Sequence, residues 1–218
     1  MKVRGETGKD MNRIETELKL SQRQIEEVGR KFHFDEKDAG VLAETAGRME
    51  EVVRGVFTFV WDEDLKEKIE IDQRYVLCCA TLGGRLDELL ESLEAEHLLL
   101  EAYMLECLSM EMLSLLYEEG RREIEKSGWF VTRYDFLEGK EEELERLSGE
   151  AGFPVEYREG YLIPQKSVIY AAVLSQEKSL NGQCGICSNC SKKDCPQRKE
   201  KVRSPKELLY GYRRILGG

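Results

Sequence analysis

The sequence predicts an α/β protein of the α+β kind, with helices packed on a mixed sheet. Three observations predict it. Residues 74–82 form a nearly continuous apolar run that stops at Gly83-Gly84, the pattern of a strand buried on both faces and ended by a tight turn. Residues 11–30 and 41–57 are each apolar on one side and rich in Glu, Lys and Arg elsewhere, as amphipathic helices are. Residues 97–117 are apolar on nearly every face, interrupted by Glu101, Glu106, Glu111 and two serines, which predicts a central, buried helix.

The remaining elements follow in chain order. After the strand at 74–82, helical periodicity resumes at Leu86 and leads into the central helix. Gly128 then releases a short strand at 129–134, a helix spans 140–152, and two strands sit at 161–163 and 168–174. The alternation of strands and helices is what suggests mixed strand order. Past Leu174 the chain turns polar, through Ser-Gln-Glu-Lys-Ser-Leu-Asn-Gly-Gln, and reads as a linker. Ser204-Pro205 opens a short final helix with Leu208, Leu209, Tyr210 and Tyr212, expected to fold back on the body. The expected organisation is an N-terminal helical region over 1–60, an α/β core over 61–176, a cysteine-rich loop over 177–200 and a basic C-terminal helix over 201–218.

Composition bounds the function. With 218 residues, 41% hydrophobic and 35% charged, the chain can bury a core of ordinary size. Its net charge of −10 disfavours nonspecific nucleic-acid binding. No window approaches eighteen uncharged apolar residues and no signal-type apolar region follows the first residues, so a cytoplasmic, membrane-free protein is expected.

The strongest motif is Cys184, Cys187, Cys190 and Cys195, in C-x2-C-x2-C-x4-C spacing before Pro196. Three thiols at successive i+3 spacing can converge on neighbouring irons of an iron–sulfur cluster. Zinc is the main competitor, although structural zinc usually draws two separated C-x2-C pairs. Disulfides or free thiols are the third reading. Gly182, Gly185 and Asn189 supply the backbone freedom such a loop needs. A basic patch follows, Lys192, Lys193, Arg198, Lys199, Lys201, Arg203 and Lys206. It could dock an acidic partner, offset the charge of a thiolate-ligated cluster, or be a solvated charge run.

No G-x-S-x-G, P-loop, H-E-x-x-H or Gly-rich dinucleotide turn is present, and neither is the C-x3-C-x2-C radical spacing. That favours an accessory factor over a free-standing enzyme, and no catalytic residue is assigned. Cys78, Cys79 and Cys107 are expected as small core residues. His33 and His97 have no metal-ligand neighbour in sequence and receive no role.

Three stretches carry a family resemblance: Cys79-Ala80-Thr81-Leu82-Gly83 leading to Asp87; Ile163-Pro164-Gln165-Lys166-Ser167-Val168; and the terminal cysteines with Arg198. Together, over roughly residues 40 to 200, they resemble the short, free-standing relatives of the cobalamin-dependent methionine synthase activation domain. The resemblance implies helices against a mixed sheet and a role in reductive reactivation. Such domains bind a corrinoid module together with S-adenosylmethionine, so that an electron donor and a methyl group restore oxidised cobalamin. A cysteine cluster would suit a low-potential electron step.

The resemblance also implies site residues. In the family an arginine ends the strand after the central helix and a Pro-Gly-Tyr turn follows it to cradle S-adenosylmethionine. Here Arg133 is present, but Tyr134-Asp135-Phe136 follows. Arg133 could pair a ligand carboxylate or simply a surface acid, and Tyr134 could stack on an adenine. Glu106, in the most apolar segment, reads as a paired or ligand-facing acid or as a residue on the helix's solvated edge. Ser167 is expected to face inward and Lys166 outward. The implied cofactor-binding set is Arg133, Tyr134, Glu106 and Ser167, with cobalamin entering through the partner, a corrinoid protein or cobalamin-dependent methyltransferase.

Overall fold

The computed structural model describes residues 2–4, 10–65, 71, 73–137 and 141–177. The expected cysteine loop, with Cys184, Cys187, Cys190 and Cys195, and the expected basic C-terminal helix lie outside these residues.

A six-stranded sheet runs in the order β1-β2-β3-β4-β8-β5. Its strands are β1 (Lys2–Arg4), β2 (Asp10–Thr16), β3 (Gly55–Trp61), β4 (Tyr75–Thr81), β5 (Phe130–Asp135) and β8 (Ser167–Ser175). Helices α1 (Gln22–Lys31), α2 (Ala39–Val52), α3 (Gly84–Ala95) and α4 (Leu99–Glu125) share one core with one face of the sheet. Helix α5 (Glu141–Ala151) packs on the opposite face, followed by the hairpin of β6 (Glu156–Arg158) and β7 (Tyr161–Ile163).

This three-layer arrangement explains the apolar runs. Along β4, Val76, Cys78 and Ala80 enter the core under α1–α4, while Tyr75, Leu77 and Cys79 enter the core under α5. Strand β8 divides likewise, Tyr170, Ala172 and Leu174 against Ile169 and Ala171. Neither strand has a solvated face, so neither shows polar alternation.

The α+β class holds, but the sheet is antiparallel throughout rather than mixed. Strands β4 and β5 do run the same way, joined by the α3–α4 crossover. The late strand β8 takes the slot between them and pairs antiparallel with both.

Two predicted helices also divide. The stretch 11–30 is a strand followed by a helix. Strand β2 is held by pairing with β3, a tertiary effect that its own polar sequence does not announce. Ser21 then caps α1, its hydroxyl accepting from the Gln24 amide while the Gln24 side chain accepts from the Ser21 amide, which is a capping box. The stretch 41–57 is α2, ending at Val52, and then the start of β3. Gly55 marks the break: a Cβ there would lie 2.7 Å from Leu18 Cδ1. Residues 1–60 therefore supply strands as well as helices to the same core.

The hairpin β6–β7 turns at Glu159-Gly160, both at positive φ, as tight two-residue turns require. At the far end of the sheet, the Arg74 guanidinium lies 5.0 Å from the Trp61 ring and 4.7 Å from Trp129, with Glu63 3.1 Å away. This cation–π sandwich ties the entrances of β4 and β5 to the end of β3. No helix among the described residues is long and apolar enough to cross a membrane.

Candidate functional site

The exit of β4 and the entrance of β8, more than eighty residues apart in sequence, meet at one end of the sheet. Thr81 stands opposite Ser167 in the ladder, and the Ser167 hydroxyl donates to Thr81 Oγ1 at 2.7 Å. Thr81 Oγ1 also accepts from the Gly83 amide at 3.2 Å. Gly83 has φ +87°, a conformation L side chains rarely adopt, and it starts α3 immediately.

Two backbone donors complete the junction. The Leu82 amide donates to the Lys166 carbonyl at 3.0 Å, and the Gln165 amide donates to the carboxylate of Asp87, in the first turn of α3, at 2.9 Å. The Ile163–Pro164 peptide is cis. Pro164 packs near Gly84, whose Cβ would lie 3.9 Å from the ring.

Lys166 connects this junction to α4. Expected to face outward, it instead donates its ammonium to Glu106 Oε2 at 2.5 Å, with only 19% of its side chain exposed. The reason is local: desolvating an ammonium near the apolar α4 surface demands a carboxylate, and Glu106 is the acid in reach. Glu106 is thus paired, and it also faces an open cleft.

That cleft, of about 590 Å³, is lined by Lys31, Phe32 and His33 from the end of α1 and by Tyr103, Glu106, Cys107 and Met110 of α4. The Cys107 thiol lies beside the Tyr103 side chain, and burial raises its pKa. The cleft presents a cation, a carboxylate, a thiol and two aromatic rings around one opening, a donor set suited to a small polar ligand with a flat group.

Not every expected site residue converges. Ser167 and Glu106 belong to this end of the molecule. Arg133 is exposed on β5, opposite Val173, six residues along β8 from Ser167 and so about 20 Å away. Tyr134 is 4% exposed and packs edge-on against Tyr170, ring centroids 5.5 Å apart. Its hydroxyl finds no hydrogen-bond partner among the described residues.

Sequence reasoning missed the cleft wall supplied by α1. His33, given no role, lines it at positive φ just past the helix end. Nothing in local spacing links residues 31–33 to α4 some seventy positions on, so only the helix packing reveals the pairing. Cys78 and Cys79 are buried thiols, as expected of core residues. Among the described residues no group of three or more His, Cys, Asp or Glu could hold a metal ion. No protein-family model matches the chain, and no curated protein matches it.

Proposed function

We propose that the chain is a cytoplasmic accessory factor that supports reductive reactivation of a cobalamin-dependent methyltransferase, with S-adenosylmethionine as methyl donor. The observation that carries this reading is the junction of β4 and β8. The two segments of resemblance within the described residues, 79–87 and 163–168, touch through Thr81–Ser167 and Asp87–Gln165, and Lys166 draws in Glu106. Segments scattered in sequence and joined in space are what a shared binding function requires.

In this reading Glu106 and Ser167 border the ligand, while Arg133, opposite Val173 on β8, stands apart from them. Cys184, Cys187, Cys190 and Cys195 would hold an iron–sulfur cluster, which when bound supplies one-electron transfer at low potential, or a zinc ion acting as a staple. The docking partner is a corrinoid protein, and a separate electron donor feeds the reaction.

The burial of Tyr134 and the distance of Arg133 from Ser167 favour a second reading, a metal-stapled docking protein that no longer binds S-adenosylmethionine. Titration calorimetry separates the two. Saturable S-adenosylmethionine binding, weakened about tenfold by Ser167→Ala through loss of a hydrogen bond at the site, supports the reactivation factor. Absence of binding at millimolar ligand overturns it in favour of the docking protein.

A further inference from the structure

Helix α4 carries an apolar face that the described fold leaves uncovered. Leu99, Leu100, Tyr103 and Met110 are 67%, 42%, 51% and 38% exposed, and they supply four of the five large exposed hydrophobics among the described residues. Positions 99, 103 and 110, with Cys107 between them, follow the i, i+4, i+8, i+11 spacing of one helix face. The same face forms a wall of the cleft beside Phe32, and Phe34 packs edge-on against Tyr103 at 5.6 Å. Single exposed hydrophobics need no explanation, but a contiguous stripe beside a cleft marks a docking surface.

We propose that the occupant of this face is the chain's own segment 204–216. Three observations select it. Its sequence places Leu208, Leu209, Tyr212, Ile215 and Leu216 at i, i+1, i+4, i+7 and i+8, the anchor spacing by which one amphipathic helix fills a groove beside another. Its charge is complementary: Lys206, Arg213 and Arg214 outnumber the one acid, Glu207, and the N-terminal end of the surface carries exposed Glu91, Glu94 and Glu96, then Glu101. Its tether also has the right reach. Strand β8 ends beside Phe130, a few residues past the end of α4, so the stripe from Met110 to Leu99 begins about 20 Å and ends about 40 Å back along the helix. The intervening stretch 178–203 numbers 26 residues, and even with residues 184–195 drawn into a metal site the other 14 can reach up to about 46 Å, at about 3.3 Å each.

A second copy of the chain fits the surface less well. Both copies would bring the same acidic flank, and each carries a net charge of −10, so their approach is opposed by like charge. A tethered segment also acts at an effective concentration that no free copy matches. This assignment stands whether or not the chain serves a corrinoid protein.

The test is carbene footprinting of the full-length protein by photoactivated diazirine, read by mass spectrometry at two protein concentrations a hundredfold apart. The wild type is compared with full-length Leu209→Glu/Ile215→Glu and with Arg213→Glu/Arg214→Glu. Labelling of Tyr103 and Met110 is expected to be low in the wild type relative to exposed Tyr161, and to rise several-fold in both variants at both concentrations. Wild-type labelling of Tyr103 equal to that of Tyr161 would overturn the assignment. So would protection lost on dilution, which marks a second copy, or protection that survives both variants, which marks a different cover.

Discussion

Replacing Gly120 with alanine should lower the unfolding free energy by about 1–3 kcal/mol, the usual cost of overpacking a core. A glycine in the interior of a 27-residue helix is ordinarily unfavourable, and alanine would gain about 1 kcal/mol by helix propensity. Here tertiary packing reverses the sign. A Cβ on Gly120 would lie 2.6 Å from Phe57 Cδ2 and closer still to the ring's outer edge. Phe57 is fully buried, with Phe59 beside it at 6.1 Å between ring centroids, so the ring has no room to yield. The glycine is what lets α4 lie against β3. In a chain of this size the loss corresponds to a fall in Tm of roughly 2–4 °C per kcal/mol, measured by thermal or denaturant unfolding. In a Phe57→Leu background the same substitution should cost much less, because residues in contact couple. An alanine variant as stable as the wild type would show that α4 does not approach β3 this closely.

Raising the pH above 9 should destabilise the fold steeply. Burial pushes the Cys79 thiol up to about 12 and the Cys78 thiol well above its ordinary 9.0. Burial does the same to the Tyr170 phenol, next to Cys78 and Tyr134, and to the Tyr134 phenol, next to Glu118. These acids are neutral when folded and their pKa values are raised, so above their ordinary values the unfolded chain releases protons that the folded chain keeps. Stability is complete below about pH 9 and falls as pH rises through 9 for the thiols and 10 for the phenols. Each such group contributes roughly 1.4 kcal/mol per pH unit while only its unfolded form is ionised. Denaturant titrations from pH 8 to 11 should show this slope. Absorbance at the phenolate band should show that Tyr134 and Tyr170 ionise only with unfolding. Tyr134→Phe should flatten the slope and, by removing a buried hydroxyl without a partner, cost little or nothing at pH 8. An unchanged slope in that variant would mean that Tyr134 is not buried as described.

Much of this interior was legible in the sequence because burial on both faces leaves an unmistakable run. Strands β4 and β8 and helix α4 are apolar nearly throughout, and Gly83-Gly84 and Gly128 punctuate them. Strands β2 and β3 were not read. β2 is polar and short and owes its conformation to its neighbour, while β3 follows α2 so closely that its first residues extend the helical pattern. Gly55 and the run Val56-Phe57-Thr58-Phe59-Val60-Trp61 were the available signal. The direction of the sheet was hidden for a different reason: whether a crossover makes parallel neighbours depends on which later strand inserts between them, here β8. The site was legible in pieces. Its segments could be picked out separately, but the hydrogen bonds between Ser167 and Thr81 and between Gln165 and Asp87 are long-range facts, as is the cleft wall from α1. Lys166 was misread because strand alternation gives a side chain's face but not the carboxylate that draws it in.

The central claim is that this chain promotes return of an oxidised corrinoid to its methylated form. The most direct measurement is the conversion of cob(II)alamin bound to a corrinoid methyltransferase, followed by its visible spectrum without oxygen, with S-adenosylmethionine and a chemical reductant present. Metal content would be determined on the same preparation. The account predicts that catalytic amounts of the chain accelerate formation of methylcobalamin, and that a Cys184→Ser, Cys187→Ser, Cys190→Ser, Cys195→Ser variant loses both its metal and the acceleration. An identical rate with and without the chain, across corrinoid proteins that it binds, would contradict it.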